Sequence, residues 1–173
     1  MAALLRRVYA SEVAQVRAAE TSLDVIAAII SLEEATTGKN FNCRGFGLTQ
    51  AERRAVGLRA MAVAMEYFQN QGFRVEDTSA EKPYDLTIRC GELINYVEVK
   101  GTTGLLGDIV LTKNEVTHHV KQYPRNTLFV LHEISLNKSK AAPLAEGGKI
   151  HVQIPWMINT EQLSPIAYRY RIS

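Results

Sequence analysis

The chain has 173 residues, 46% of them hydrophobic and 22% charged, with a formal charge of +2. That is enough apolar material for one full core, so one domain with a small appendage is expected and two domains would be cramped. The weak charge leaves any nucleic-acid binding to local clusters of cations, and two cysteines, Cys43 and Cys90, are too few for a disulfide scaffold or a Cys-x-x-Cys motif.

Residues 1–44 are expected to form an N-terminal helical extension ahead of a domain over residues 45–173. Val8, Val13 and Val16, then Leu23, Ile26, Ile29 and Ile30, recur at helical intervals, with Thr21-Ser22 as a cap between two helices. The longest apolar run, Val25–Ile30, is too short to span a bilayer, and Met1–Arg7 lacks the apolar stretch of a secretory signal. A cytoplasmic protein with no membrane segment is therefore expected. The first helices either cap the core or pair two copies into a homodimer. Residues 36–48, rich in Thr, Gly and Asn, read as the linker.

Thr49-x-x-Glu52 is a capping box, and the helix it opens carries Ala60, Met61, Ala64, Met65 and Phe68 as an apolar stripe until Gly72 stops it. Phe73–Glu76 begins a sheet. Leu86–Cys90 and Leu93–Lys100 are two apolar, β-branched runs joined by Gly91-Glu92, the Gly-first form of a type II′ hairpin. Gly107–Leu111 reads as a further strand. Thr112-x-x-Glu115 repeats the capping pattern and starts a helix to about Tyr123, and Thr127–Ile134 is a strongly apolar strand. Pro143–Gly148 reads as a loop and Lys149–Ile154 as an edge strand. The alternation Tyr168-Arg169-Tyr170-Arg171 fits an edge strand better than a surface for stacking bases. The order of elements predicts an α/β fold with a mixed central sheet flanked by helices.

The hairpin sets two carboxylates against each other. If Cys90 lies opposite Leu93, then Leu86 faces Val97 and Asp85 faces Glu98. Like charges on directly opposed residues repel, and a divalent cation between them would remove the repulsion. Hard oxygen donors suit Mg²⁺ or Mn²⁺. Lys100 shares a face with Glu98, where its ammonium would orient an attacking water or offset charge on a phosphorane. The same spacing also fits an ordinary solvated Glu–Lys pair on a strand.

Other candidates lie nearby. The Gly101-Thr102-Thr103-Gly104 turn offers hydroxyls and amides to a phosphate oxygen, and Lys121, Gln122 and Arg125 could touch phosphates from the end of the second capped helix; both also read as plain turn and solvated helix face. His118 and His119 point about 100° apart on a helix, so they are expected to be exposed rather than joint ligands. Glu115 and His119 are one turn apart and within mutual reach.

The segments Tyr84-Asp85-Leu86 and Tyr96-Val97-Glu98-Val99-Lys100-Gly101-Thr102 resemble the PD-(D/E)XK nuclease superfamily, with Pro83 and Asp85 as the first half of the motif and Glu98-Val99-Lys100 as the second. With Gly72-Phe73-Arg74-Val75 and Leu111-Thr112-Lys113-Asn114-Glu115-Val116 added, the series over about residues 50–135 resembles the C-terminal domain family of the protein NO VEIN. The resemblance implies a restriction-endonuclease-like αβββαβ core and metal-dependent cleavage of DNA in restriction or defence. Asp85 and Glu98 would hold Mg²⁺ or Mn²⁺, and Lys100 would complete the catalytic set. Many superfamily members place a Glu on the helix before the first strand, where this chain has Met61. That departure implies a single metal ion, or a module that binds nucleic acid without cutting it. The apolar N-terminal helices suggest a third role, as a protein-interaction domain.

Overall fold

The computed structural model describes residues 48–139 and 142–166. The expected N-terminal helices with their capping or dimerising role, the linker up to Gly47, Cys43 and the Tyr168–Arg171 alternation all lie outside the described residues.

Thr49 opens the first described helix, α1 (Gln50–Asn70), with the expected reciprocal cap. Its hydroxyl accepts from the Glu52 N–H at 3.3 Å while the Glu52 carboxylate accepts from the Thr49 N–H at 2.7 Å. Gly72, at φ 85°, ends the helix in the left-handed conformation that a side chain disfavours. Val56, Ala60, Ala64 and Phe68 recur every four residues and are buried, with Met61 half-buried beside them. Small residues in that stripe let α1 sit close to the sheet.

The sheet has five strands, β1 (Arg74–Asp77), β2 (Leu86–Cys90), β3 (Leu93–Gly101), β4 (Asn126–Asn137) and β5 (Leu144–Gln153), lying side by side in chain order. Neighbours are antiparallel except β3 and β4, which are parallel. A parallel pair cannot close through a tight turn, and the connection between them contains the second helix, α2 (Lys113–Gln122). The α/β mixed sheet with flanking helices is therefore present. The hairpin has the expected register, Cys90 with Leu93 through Leu86 with Val97, and Gly91 takes the positive φ of 56° that the first central position of a type II′ turn needs.

Strand alternation sorts the side chains to two faces. Leu86, Ile88, Val97, Val99, Phe129 and Leu131 join the α1 stripe in the main core. On the other face Leu128 and Val130 pack with Trp156, Ile109, Leu111 and Ile158 in a smaller cluster. Each large side chain so buried contributes roughly 1.5–3 kcal/mol.

Two expected elements differ. Gly107–Leu111 is not a strand: it has no pairing partner, and Ile109 and Leu111 instead plug the smaller cluster. Pro143–Gly148 is not simply a loop, because β5 runs through it. The β4–β5 ladder extends from Asn137 opposite Leu144 to Leu128 opposite Gln153 and omits the rung at Glu133 and Gly148. Both residues there have positive φ, 56° and 102°, and the Glu133 N–H turns away to donate to the Gly104 carbonyl at 2.8 Å. The glycines bend the strand without ending it.

Gly101, the last residue of β3, is where α1 presses on the sheet. A Cβ there would lie 2.9 Å from the Ala60 Cβ and 3.0 Å from the Val56 carbonyl oxygen. Gly101→Ala is expected to destabilise the fold by about 1–3 kcal/mol, read as a lower urea midpoint. The loss should shrink when Ala60→Gly is combined with it; an unchanged midpoint for Gly101→Ala would contradict the close approach.

Candidate active site

The face of β3 turned away from the main core carries Tyr96, Glu98 and Lys100, and α2 lies over it. Glu98 is only 1% exposed. Its Oε1 lies 2.7 Å from Lys100 Nζ, and its Oε2 accepts from His119 Nε2 at 3.3 Å. A carboxylate can only accept, so Nε2 carries the hydrogen. Both oxygens of the buried charge are thereby satisfied.

The sequence of α2 explains how it docks. Thr112 and Glu115 form the second reciprocal cap, with the Glu115 carboxylate accepting from the Thr112 N–H at 2.9 Å. The same Glu115 oxygen accepts from Lys100 Nζ at 3.1 Å. One side chain thus closes the first helical turn and fixes the lysine on the sheet. At the other end, buried Asn126 donates through Nδ2 to the carbonyls of His119 and Trp156 at 3.1 and 2.7 Å. The Trp156 ring lies 5.0 Å from that of His119.

Asp85 completes the cluster in a way the hairpin register did not anticipate. The ladder stops at Leu86 opposite Val97, so Asp85 is not a further rung facing Glu98. Its N–H donates to the Val97 carbonyl at 3.0 Å, and its Oδ2 accepts from the Val99 N–H at 2.8 Å. Strand β3 outruns β2, and the aspartate side chain satisfies an amide left without a ladder partner on that side.

Charge follows from this packing. Burial, and then the neighbouring Glu98 charge, push the Asp85 carboxyl up to about 7 despite the bond from Val99. For Glu98, burial pushes upward too, but the His119 hydrogen bond and the contact with Lys100 together outweigh it and hold the carboxyl below its ordinary value. For Lys100, burial alone would favour the neutral amine, yet Glu98 and Glu115 overcome it and raise the ammonium above its ordinary value. Asp85 is the member of the group that titrates near neutrality.

Asp85, Glu98 and Lys100 are thus brought together. Thr102 and Thr103 follow directly on the strand; the Thr102 hydroxyl accepts from the Gly104 N–H at 3.0 Å, and its backbone is tied to β4 through Leu131 and Ile134. Lys121 and Arg125 are exposed near the end of α2, where Arg125 Nη2 donates to Gln122 Oε1 at 3.4 Å. Exposure of the histidine pair is corrected: His119 is fully buried and His118 half-buried. They do diverge, with rings nearly perpendicular at 88°. Glu115 and His119 do not serve each other; they reach separately to Lys100 and Glu98, which the one-turn spacing hinted at without giving their partners. Met61 packs into the main core on the opposite face.

Asp85 and Glu98 are the oxygen donors a hard divalent ion would use, although Lys100 and His119 already engage both Glu98 oxygens. Asp85 and Glu98 are oxygen donors close enough to repel, and the aspartate takes a proton near neutrality, a place that a cation can fill instead. Among the described residues no group of three or more His, Cys, Asp or Glu side chains is arranged to hold an ion.

A model of the family described as Protein NO VEIN, C-terminal matches residues 56–143, just over half of the chain. No curated protein and no solved structure matches it. Among the described residues no helix is long and apolar enough to cross a membrane.

Two outcomes are expected from the charge pattern. The Asp85 carboxyl is raised in the folded state, so its contribution to stability is lost as pH climbs from about 4 to about 7 and stays lost above. In chelator at pH 8, Asp85→Asn should therefore raise the melting temperature by on the order of 5 °C, with the gain fading toward pH 4; a lower melting temperature at pH 8 would count against the assignment. His119→Ala should cost about 2–4 kcal/mol in urea unfolding by stranding the Glu98 charge, and His119→Gln, which keeps a donor, clearly less.

Proposed function

The chain belongs to the NO VEIN C-terminal family, and on that premise we propose that it is a metal-dependent endonuclease hydrolysing DNA phosphodiesters with a PD-(D/E)XK arrangement of Asp85, Glu98 and Lys100. The observation that carries this reading is the convergence of the three groups: Lys100 Nζ stands 2.7 Å from Glu98, and burial together with the Glu98 charge lifts the Asp85 carboxyl toward neutrality. A perturbed carboxylate beside a specific charge partner marks a candidate site of chemistry.

Asp85 and Glu98 would hold Mg²⁺ or Mn²⁺, which when bound supplies Lewis acidity toward a phosphoryl oxygen and acidifies a coordinated water. Lys100 stays an ammonium at neutral pH because Glu98 and Glu115 flank it. It therefore orients the attacking water and offsets charge gathering on phosphorus, and does not serve as a base. The water oxygen adds to phosphorus while the bond to the leaving ester oxygen breaks, the water giving up one proton to solvent and the departing oxygen taking one from it. Glu115 and His119 are positioning residues: they fix Lys100 and Glu98 from α2. Thr102, Thr103, Lys121, Gln122 and Arg125 would meet the flanking phosphates.

On this reading a double-strand cut needs two such sites, which a homodimer would supply. A cytoplasmic setting, with restriction or defence as the biological context, suits such an activity. The burial of Glu98, with both oxygens engaged, favours a second reading in which the Glu98–Lys100 pair is structural and the same fold binds nucleic acid without cutting it.

Supercoiled plasmid incubated with Mg²⁺ or Mn²⁺ separates the two. The wild type is expected to nick it, and Asp85→Ala and Lys100→Ala to fall by about 100-fold or more. Equal nicking by all three proteins refutes the assignment. Affinity that survives chelator and Asp85→Ala, with no cleavage in any metal, establishes the second reading.

A further inference from the structure

Beside the acidic cluster lies a group of rings that the proposed chemistry does not use. Tyr84 immediately precedes Asp85, Tyr96 shares the β3 face with Glu98, and His118 sits one residue before His119 on α2. Their rings meet: Tyr84 stacks on His118 at 4.5 Å and 25°, Tyr96 lies 4.9 Å from Tyr84, and Tyr96 meets His118 edge-on at 5.2 Å and 83°. All three residues are half-buried, with the His118 Nε2 itself closed off, so the group lies at the margin between core and surface. Burial and the neighbouring His119 lower the proton affinity of His118, which keeps this ring neutral near physiological pH.

Two exposed cations flank the rings. Lys121 stands one helical turn from His118, close enough for its charge to act on that ring. The Arg125 backbone is tied to Tyr96, whose N–H donates to the Arg125 carbonyl at 3.1 Å, and the Arg125 guanidinium reaches Gln122, one helical turn from His118, at 3.4 Å. Aromatic rings with cations at their edge form the surface that unpaired nucleotides recognise: bases stack on the rings and phosphates meet the charges. A duplex keeps its bases stacked on each other and offers such a surface its phosphates and base edges, not base faces.

We infer that Tyr84, Tyr96 and His118, edged by Lys121 and Arg125, form a stacking platform for unpaired bases next to the acidic cluster, so that the substrate is DNA with a single-stranded stretch at the cleavage point. The choice of substrate rests on the proposed nuclease reading, whereas the binding of unpaired bases does not depend on cleavage.

Fluorescence anisotropy in chelator at low salt, with a fluorescein-labelled sixteen-nucleotide dT strand and a labelled duplex of equal length, tests the platform. The wild-type chain is expected to bind the single strand about tenfold or more tightly than the duplex. Tyr84→Leu combined with Tyr96→Leu should reduce that preference to near unity, while Tyr84→Phe retains it. Lys121→Ala with Arg125→Ala should weaken both ligands together and flatten the salt dependence. Thermal melting identifies a leucine variant that fails to fold. In that event the wild-type preference and the quenching of a 2-aminopurine base within the bound dT strand, which reports stacking, decide the matter. Equal affinity for the two ligands, or a preference that survives in folded leucine variants, overturns the inference. Plasmid nicking without single-strand preference would remove the platform and leave the nuclease reading standing; single-strand preference without nicking in any metal would do the reverse.

Discussion

The buried carboxylate of Glu98 is the constraint around which this structure is organised. A charge taken out of water costs several kcal/mol unless partners replace its hydration. Here Lys100 takes one oxygen and His119 the other. Those partners come from different places, the first from two residues along the same strand and the second from a helix that must lie directly above it. Satisfying one carboxylate therefore dictates where α2 sits. Glu115 adds to this by joining the cap of that helix to Lys100, so the docking is fixed at both ends of its first two turns.

Strand β3 can host this group because its two faces do opposite work. Val97 and Val99 turn toward α1 and the main core, while Glu98 and Lys100 turn toward α2. The parallel pairing of β3 with β4 obliges the chain to cross over the sheet, and the crossover is what delivers α2 to the polar face. Gly101 then ends the strand where α1 comes nearest on the reverse side. Helices press on the strand from both faces within a few residues, which limits how far Glu98 and Lys100 can move.

Much of this was legible in the residues themselves, and the exceptions have physical causes. The two capping boxes and the Gly91-Glu92 hairpin are local signals, set by side chains that bond the backbone within three or four positions, and they placed α1, α2 and the β2–β3 register correctly. Non-local contacts were harder. His119 looked exposed because the α2 sequence is polar on most sides, and only the position of Glu98 beneath it explains its burial. Gly107–Leu111 carries the composition of a strand but finds no edge to pair with, and its apolar residues fill the space around Trp156 instead. Gly147 and Gly148 read as turn signals, yet they accommodate a bend opposite Glu133 inside a continuous ladder. The place of Asp85 depended on β3 outrunning its partner, a length mismatch that pairing rules applied rung by rung do not reveal.

The mismatch also gives the acidic group its electrostatic character. Asp85, Glu98 and Glu115 set three carboxylates against the single ammonium of Lys100, so these four groups keep one net negative charge when Asp85 is protonated and carry two when it is ionised. Within a chain of formal charge +2 this is a local reversal of sign. A phosphodiester approaching it meets repulsion from Asp85 and Glu98 at distances where screening by salt is weak, unless a proton or a cation stands between them. Burial first, and then the same repulsion from Glu98, raise the Asp85 carboxyl to about 7. On the proposed reading, a phosphate entering this cluster would have to settle that charge, which would make occupancy by a cation and access by nucleic acid two parts of one equilibrium.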